Sequence, residues 1–129
     1  MIIQLNFEAE KPIYLQLVHQ IIEGVASGKL EPGETLPSVR VLAADIGINL
    51  HTVNKAYQQL KQDGFILVHR RKGVMVNPEG TEKTDGSHQR KLEEALRPFI
   101  AEAICRGMDA EAFKELSQNI FSDIKEGKQ

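Results

Sequence analysis

Four polar side chains, His51, Asn54, Lys55 and Gln58, recur at the three- and four-residue spacing that places them on one face of a helix. Asn and Gln amides carry a donor and an acceptor side by side and can pair bidentately with adenine; a histidine can donate to a base acceptor or a phosphate. Thr52 falls near the start of the same helix, where backbone N–H groups converge and suit a phosphate. Arg70, Arg71 and Lys72 add three consecutive cations a little further on. This is chemistry for reading a nucleic-acid groove and gripping its backbone.

Other chemistries find little support. His19, His51, His69 and His88 lack metal-ligand spacing, and the single Cys105 has no cysteine to join. No nucleophile–base pattern and no phosphate-cradling glycine loop occurs, so the chain is not expected to be an enzyme, to hold a metal or to need a cofactor. Cys105 is expected to pack on an apolar helix face rather than to sense redox state. The net charge of −2 hides an asymmetry: residues 37–78 carry six basic and two acidic side chains, and residues 79–129 carry eight basic and eleven acidic ones. The basic footprint needed for phosphate contact therefore lies in one segment only. No apolar run approaches the roughly twenty residues of a membrane span, and the first residues lack a signal peptide's basic start and apolar core. A cytoplasmic protein without membrane partners is expected.

The elements that must hold these residues follow from periodicity. Val53, Ala56, Tyr57 and Leu60 form the apolar stripe opposite the polar face, and Asn49 can cap that helix. Before it, Val39, Leu42, Ala43 and Ile46 recur at helical spacing until Gly47 breaks the pattern. Helix, glycine turn and helix over about 38–57 is the plan of a helix-turn-helix. An earlier helix is expected over 12–27, opened by Pro12, with Ile13, Leu17, Ile21 and Val25 on its apolar face and Gly28 as its stop. Phe65–His69 and Val74–Val76 read as strands around the basic loop, a wing over about 65–77. Residues 78–87 hold no apolar side chain to bury and read as a linker.

Two more helices are expected in 88–129, the first disturbed by Pro98, which should kink it or shift its start. Their stripes (Leu92, Leu96, Phe99, then Phe113, Leu116, Ile120 and Ile124) are too small to enclose a core, so they are expected to bury against a second copy of the chain. The fold class is thus mainly α with a small β-hairpin: a winged helix-turn-helix over 1–77 and a two-helix dimerisation unit over 88–129. So small a helical unit leaves little room for a metabolite pocket in the monomer, and no effector can be named from the residues.

Residues 12–77 resemble the DNA-binding domain of the GntR family of bacterial transcription regulators. The likeness rests on Tyr14-Leu15-Gln16, Gly28-Lys29-Leu30, Pro32-Gly33, Leu36-Pro37-Ser38-x-Arg40, Leu42-Ala43, Thr52-Val53, Ala56-Tyr57, Leu60 and Asp63-Gly64. The short two-helix C-terminal part resembles the YtrA-type subgroup. The resemblance implies a dimeric repressor on a palindromic double-stranded DNA operator, with control of a neighbouring transporter operon as one role. It brings Arg40 to the DNA. The full expected contact set is then Ser38, Arg40, Asn49, His51, Thr52, Asn54, Lys55, Gln58, Arg70, Arg71 and Lys72. Leu50 stands where many members carry arginine, and Arg71 where the wing often has glycine, so the operator sequence does not transfer. The competing reading is a winged helix serving as a protein-interaction module. It predicts weak DNA binding without sequence preference, and the polar 51/54/55/58 face argues against it.

Overall fold

The computed structural model describes residues 2–83 and 85–127; Met1, Thr84, Lys128 and Gln129, which fall within the expected segments, lie outside the described residues. Five helices and one hairpin follow in the order α1 (Ile13–Ser27), α2 (Val39–Ile46), α3 (Leu50–Gln62), β1 (Ile66–His69), β2 (Gly73–Val76), α4 (Gly86–Cys105) and α5 (Ala110–Lys125). The chain divides into two compact units, one through Thr81 and one from Glu82.

The first unit is built on α1 and α3, whose apolar stripes meet. Leu17, Val18 and Ile21 of α1 are fully buried with Val53, Ala56 and Leu60 of α3. Burial of each such aliphatic side chain is worth about 1.5–3 kcal/mol, so the meeting of these two stripes dominates the unit. A glycine inside α1 makes the packing possible: a Cβ on Gly24 would lie 2.8 Å from Cδ1 of Leu30, itself buried. Gly47 carries the chain from α2 to α3 with φ of 68°, a left-handed conformation that side-chain-bearing residues rarely adopt.

The hairpin pairs β1 with β2 antiparallel, from Ile66 opposite Val76 to His69 opposite Gly73. Periodicity gives no hint of what lies on the other edge of β2. There the N–H groups of Gly33 and Leu36 donate to the carbonyls of Val76 and Val74 at 2.9 and 2.8 Å, and Thr35 bridges Met75. The segment that begins at Pro32-Gly33 therefore turns the chain and also supplies a third, short line of pairing, which anchors the wing to the core.

Before α1, an extended segment is held by two glutamines one helical turn apart. Gln16 Oε1 accepts the Asn6 N–H at 2.8 Å, and its Nε2 donates to the carbonyls of Asn6 and Lys11, each at 2.9 Å. Gln20 does the same for Gln4, accepting its N–H and donating to its carbonyl. Gln16 is the one buried polar side chain among the described residues, and it is fully engaged.

In the second unit α4 begins at Gly86, two residues before the expected start, because Asp85 caps it: Oδ1 accepts the His88 N–H at 2.9 Å. Pro98 lies inside this helix and does not end it. It removes one backbone donor from the ladder, while the turns on either side remain helical. Asp109 caps α5 in the same way, accepting the Ala112 N–H at 2.8 Å. Neither helix buries a single residue. The expectation for Cys105 fails: it is exposed, on a helix that buries no residue.

Candidate nucleic-acid interface

The α3 stripe divides as its spacing predicts. Val53, Ala56, Tyr57 and Leu60 are buried, and His51, Asn54 and Gln58 are exposed on the remaining surface. Asn49 starts the helix as its cap, Oδ1 accepting the His51 N–H at 2.7 Å. Ser38 plays the same part for α2, Oγ accepting the Val41 N–H at 3.2 Å. Both residues of the expected contact set thus have a defined structural task. Each sets the first turn of a helix whose exposed side chains follow directly: Arg40 on α2, and Leu50 and His51 on α3. Thr52 is half-buried, with its N–H spent on the Asn49 carbonyl at 3.0 Å.

Lys55 departs from the polar face. Its ammonium lies over the Tyr14 ring, 3.9 Å from the centroid, so it leans toward α1 instead of standing beside Asn54 and Gln58. A helical wheel places only the Cβ; the four-carbon stem then carries the charge to the nearest electron-rich ring.

A hydrogen bond ties α3 to the segment that leads into α2. The Tyr57 hydroxyl donates to the Pro37 carbonyl at 2.7 Å, fixing α3 to the residue just ahead of Ser38. Burial disfavours the phenolate and pushes the Tyr57 pKa up to about 12. His19 on α1 shifts the other way: burial lowers its pKa, Lys11 adds to the effect and Glu23 opposes it.

Strand β1 leads from the end of α3 into the wing. Arg70, Arg71 and Lys72 are all exposed at its tip, and Gly73 opens β2 with φ of 78°. Only glycines among the described residues take positive φ, so Arg71 sits in the turn without backbone strain where a glycine is often found. The turn has a side-chain partner that periodicity does not reveal. His69 Nδ1 accepts the N–H groups of Arg71 and Lys72, at 3.1 and 3.2 Å. The signal available in the sequence is position alone: a residue with a short-range acceptor just before a tight loop.

Among the described residues no three of His, Cys, Asp or Glu gather as a metal site requires, and no helix is long and apolar enough to cross a membrane. What the first unit offers is an exposed row of amide, imidazole and guanidinium donors on a rigid helix pair, flanked by a cationic hairpin. That is an arrangement for base edges and phosphates.

Comparison with known proteins agrees. Residues 13–76 match the bacterial regulatory proteins of the gntR family. Over the whole chain, the HTH-type transcriptional repressor YtrA of Bacillus subtilis is 33% identical across 126 residues, covering 98% of this chain and 97% of that protein. Among solved structures, YtrA from Sulfolobus acidocaldarius, described as a GntR-family transcription factor, is 39% identical with a TM-score of 0.62. It covers 81% of this chain and 99% of its own. A Listeria monocytogenes protein described as a transcriptional antiterminator follows the fold further, with a TM-score of 0.90 at 29% identity over 100% of this chain and 96% of its own. The chain belongs to the GntR family as a YtrA-type member, and it is a DNA-binding transcription regulator, not an enzyme.

Proposed function

We propose that the protein is a homodimeric cytoplasmic repressor that binds a palindromic operator through two copies of α3 and two wings. The observation that carries the DNA side is the capped α3, whose exposed His51, Asn54 and Gln58 lie opposite a fully buried stripe. Arg40 supplies a further base or phosphate contact from α2, and Arg70, Arg71 and Lys72 neutralise the backbone beside it. Recognition then falls on few side chains, because Leu50, 37% exposed at the start of α3, offers no hydrogen bond. Its methyl groups fit a thymine methyl. Ser38 and Asn49 act mainly as caps that set the angle of their helices, and Lys55 serves the α1 side.

The dimer reading rests on the second unit. Leu92, Phe99 and Ile104 of α4 and Leu116, Ile120 and Phe121 of α5 are all exposed, at 42 to 68%. Phe121 lies outside the expected stripe and widens the apolar surface. A second copy is the partner that buries such a surface symmetrically, and two copies match the two half-sites of a palindrome. Transporter genes are the regulated target that the resemblance to the YtrA-type subgroup implies.

Selection of duplexes from a random pool by the purified chain tests the reading. Enrichment of an inverted repeat is expected. Arg40→Ala should then weaken the selected duplex by about 1–3 kcal/mol, and Arg71→Ala should weaken all duplexes alike, lowering the salt slope by about one. A chain that enriches no sequence, or sediments as a monomer at micromolar concentration, would refute it.

A further inference from the structure

The loop that carries the wing's charge joins two short strands at the exposed end of a hairpin, and its three residues are long and cationic. Such a loop samples many conformations, and its charges then reach a phosphate backbone only part of the time. Here the backbone is held by one side chain. His69 is the last residue of β1, and its Nδ1 accepts from two successive N–H groups, those of Arg71 and Lys72. An imidazole nitrogen can accept only when it bears no proton, so this arrangement requires the neutral ring with its hydrogen on Nε2. Among the described residues no other side chain bonds to the backbone of the turn.

We propose that His69 is the positioning residue of the wing: by clasping the Arg71 and Lys72 N–H groups, it fixes the turn in the form that aims both cations at DNA phosphates. The role rests on the DNA-binding reading above. It acts through Arg71 and Lys72, and the imidazole itself need not touch the nucleic acid.

Two substitutions separate the acceptor from the ring. In His69→Asn, Oδ1 stands the same number of bonds from Cα as Nδ1 and can accept the same N–H groups, as asparagine does at turn starts. In His69→Phe the ring remains and the acceptor is gone. The full-length chain is titrated against a duplex that the wild type enriches from a random pool and against an unselected duplex, over a series of salt concentrations. Amide hydrogen exchange at Arg71 and Lys72 is followed in the free protein.

With the clasp acting as proposed, His69→Phe lowers affinity for both duplexes about three- to tenfold. The salt slope falls by about one to two, at about 0.9 for each phosphate that the wing no longer neutralises. His69→Asn stays within about twofold of wild type, as a retained acceptor predicts. His69→Phe combined with Arg71→Ala loses less than the product of the two single effects, because one acts through the other. Exchange at the two amides is faster in the Phe variant than in the wild type or the Asn variant. Wild-type affinity in His69→Phe overturns the proposal, and so does an Asn variant as weak as the Phe variant, which would make the imidazole itself the group that touches DNA. A wild type that enriches no duplex refutes the DNA reading and the aiming role with it. That failure is told apart from failure of the clasp by the exchange rates, which involve no DNA.

Discussion

The two units carry apolar stripes of similar quality and use them in opposite ways. The first holds every buried apolar side chain among the described residues, from Leu17 to Val76, and α1 and α3 complete one another. In the second, α4 and α5 are also amphipathic and bury nothing. Helical periodicity reports that a face is apolar; it does not report what covers it. The first unit closes on itself because three helices and a hairpin surround a common centre. Two helices have no third wall, so the completing surface must come from outside the pair.

The largest effect should come from deleting side-chain atoms on each side of that contrast. Leu60→Ala removes a fully buried side chain and should cost about 2–5 kcal/mol in denaturant unfolding of the first unit. Phe121→Ala, at a residue 68% exposed, should leave that transition in place and instead shift the sedimentation equilibrium toward the monomer. Equal losses of unfolding stability in both variants would break the contrast. A smaller effect is expected at Gly24. Alanine there gains about 1 kcal/mol of helix propensity, but its Cβ would press on Leu30 at 2.8 Å, and overpacking costs about 1–3 kcal/mol. Leu30 is buried and cannot swing away, so net destabilisation is expected in thermal melts.

Tyr57 sharpens the comparison through pH. Its pKa is raised in the folded chain to about 12 from 10, so its contribution is fully present below pH 10 and is lost as pH rises through 12. Alkaline unfolding of the first unit should therefore steepen over that window. Tyr57→Phe should remove that part of the pH dependence while costing about 0.5–1.5 kcal/mol at neutral pH for the missing bond to Pro37. The smallest effect belongs to the second unit. Glu102→Ala breaks the exposed Arg106–Glu102 pair, 3.1 Å apart, and should change stability by about 0.5 kcal/mol or less.

Much of the interface is legible in the sequence because it depends on local pattern. The buried set Val53, Ala56, Tyr57 and Leu60, the cap Asn49, and the exposed turn Arg70–Lys72 all follow from spacing and residue type within a few positions. What escapes depends on partners distant in sequence or on side-chain reach. The pairing of residues 33–36 with β2 joins Leu36 to Val74, far along the chain, and leaves no alternation to detect. Spacing assigns Lys55 to the polar face by its Cβ, while its ammonium follows Tyr14 of another helix. An apolar stripe assigns Cys105 to a packed face, and the residue is exposed on a helix that buries nothing.

The paired glutamines of α1 carry a practical consequence. Gln16 satisfies its buried amide only through the backbone of Asn6 and Lys11, so the segment ahead of α1 belongs to the folded unit as much as any helix does. A shortened protein starting at Pro12 would keep every residue matched to the family pattern, yet Gln16 would lose its hydrogen bonds to Asn6 and Lys11. Trimming guided by family boundaries alone would therefore yield a weakened domain, stripped of the hydrogen bonds that Gln16 and Gln20 make to the segment ahead of α1.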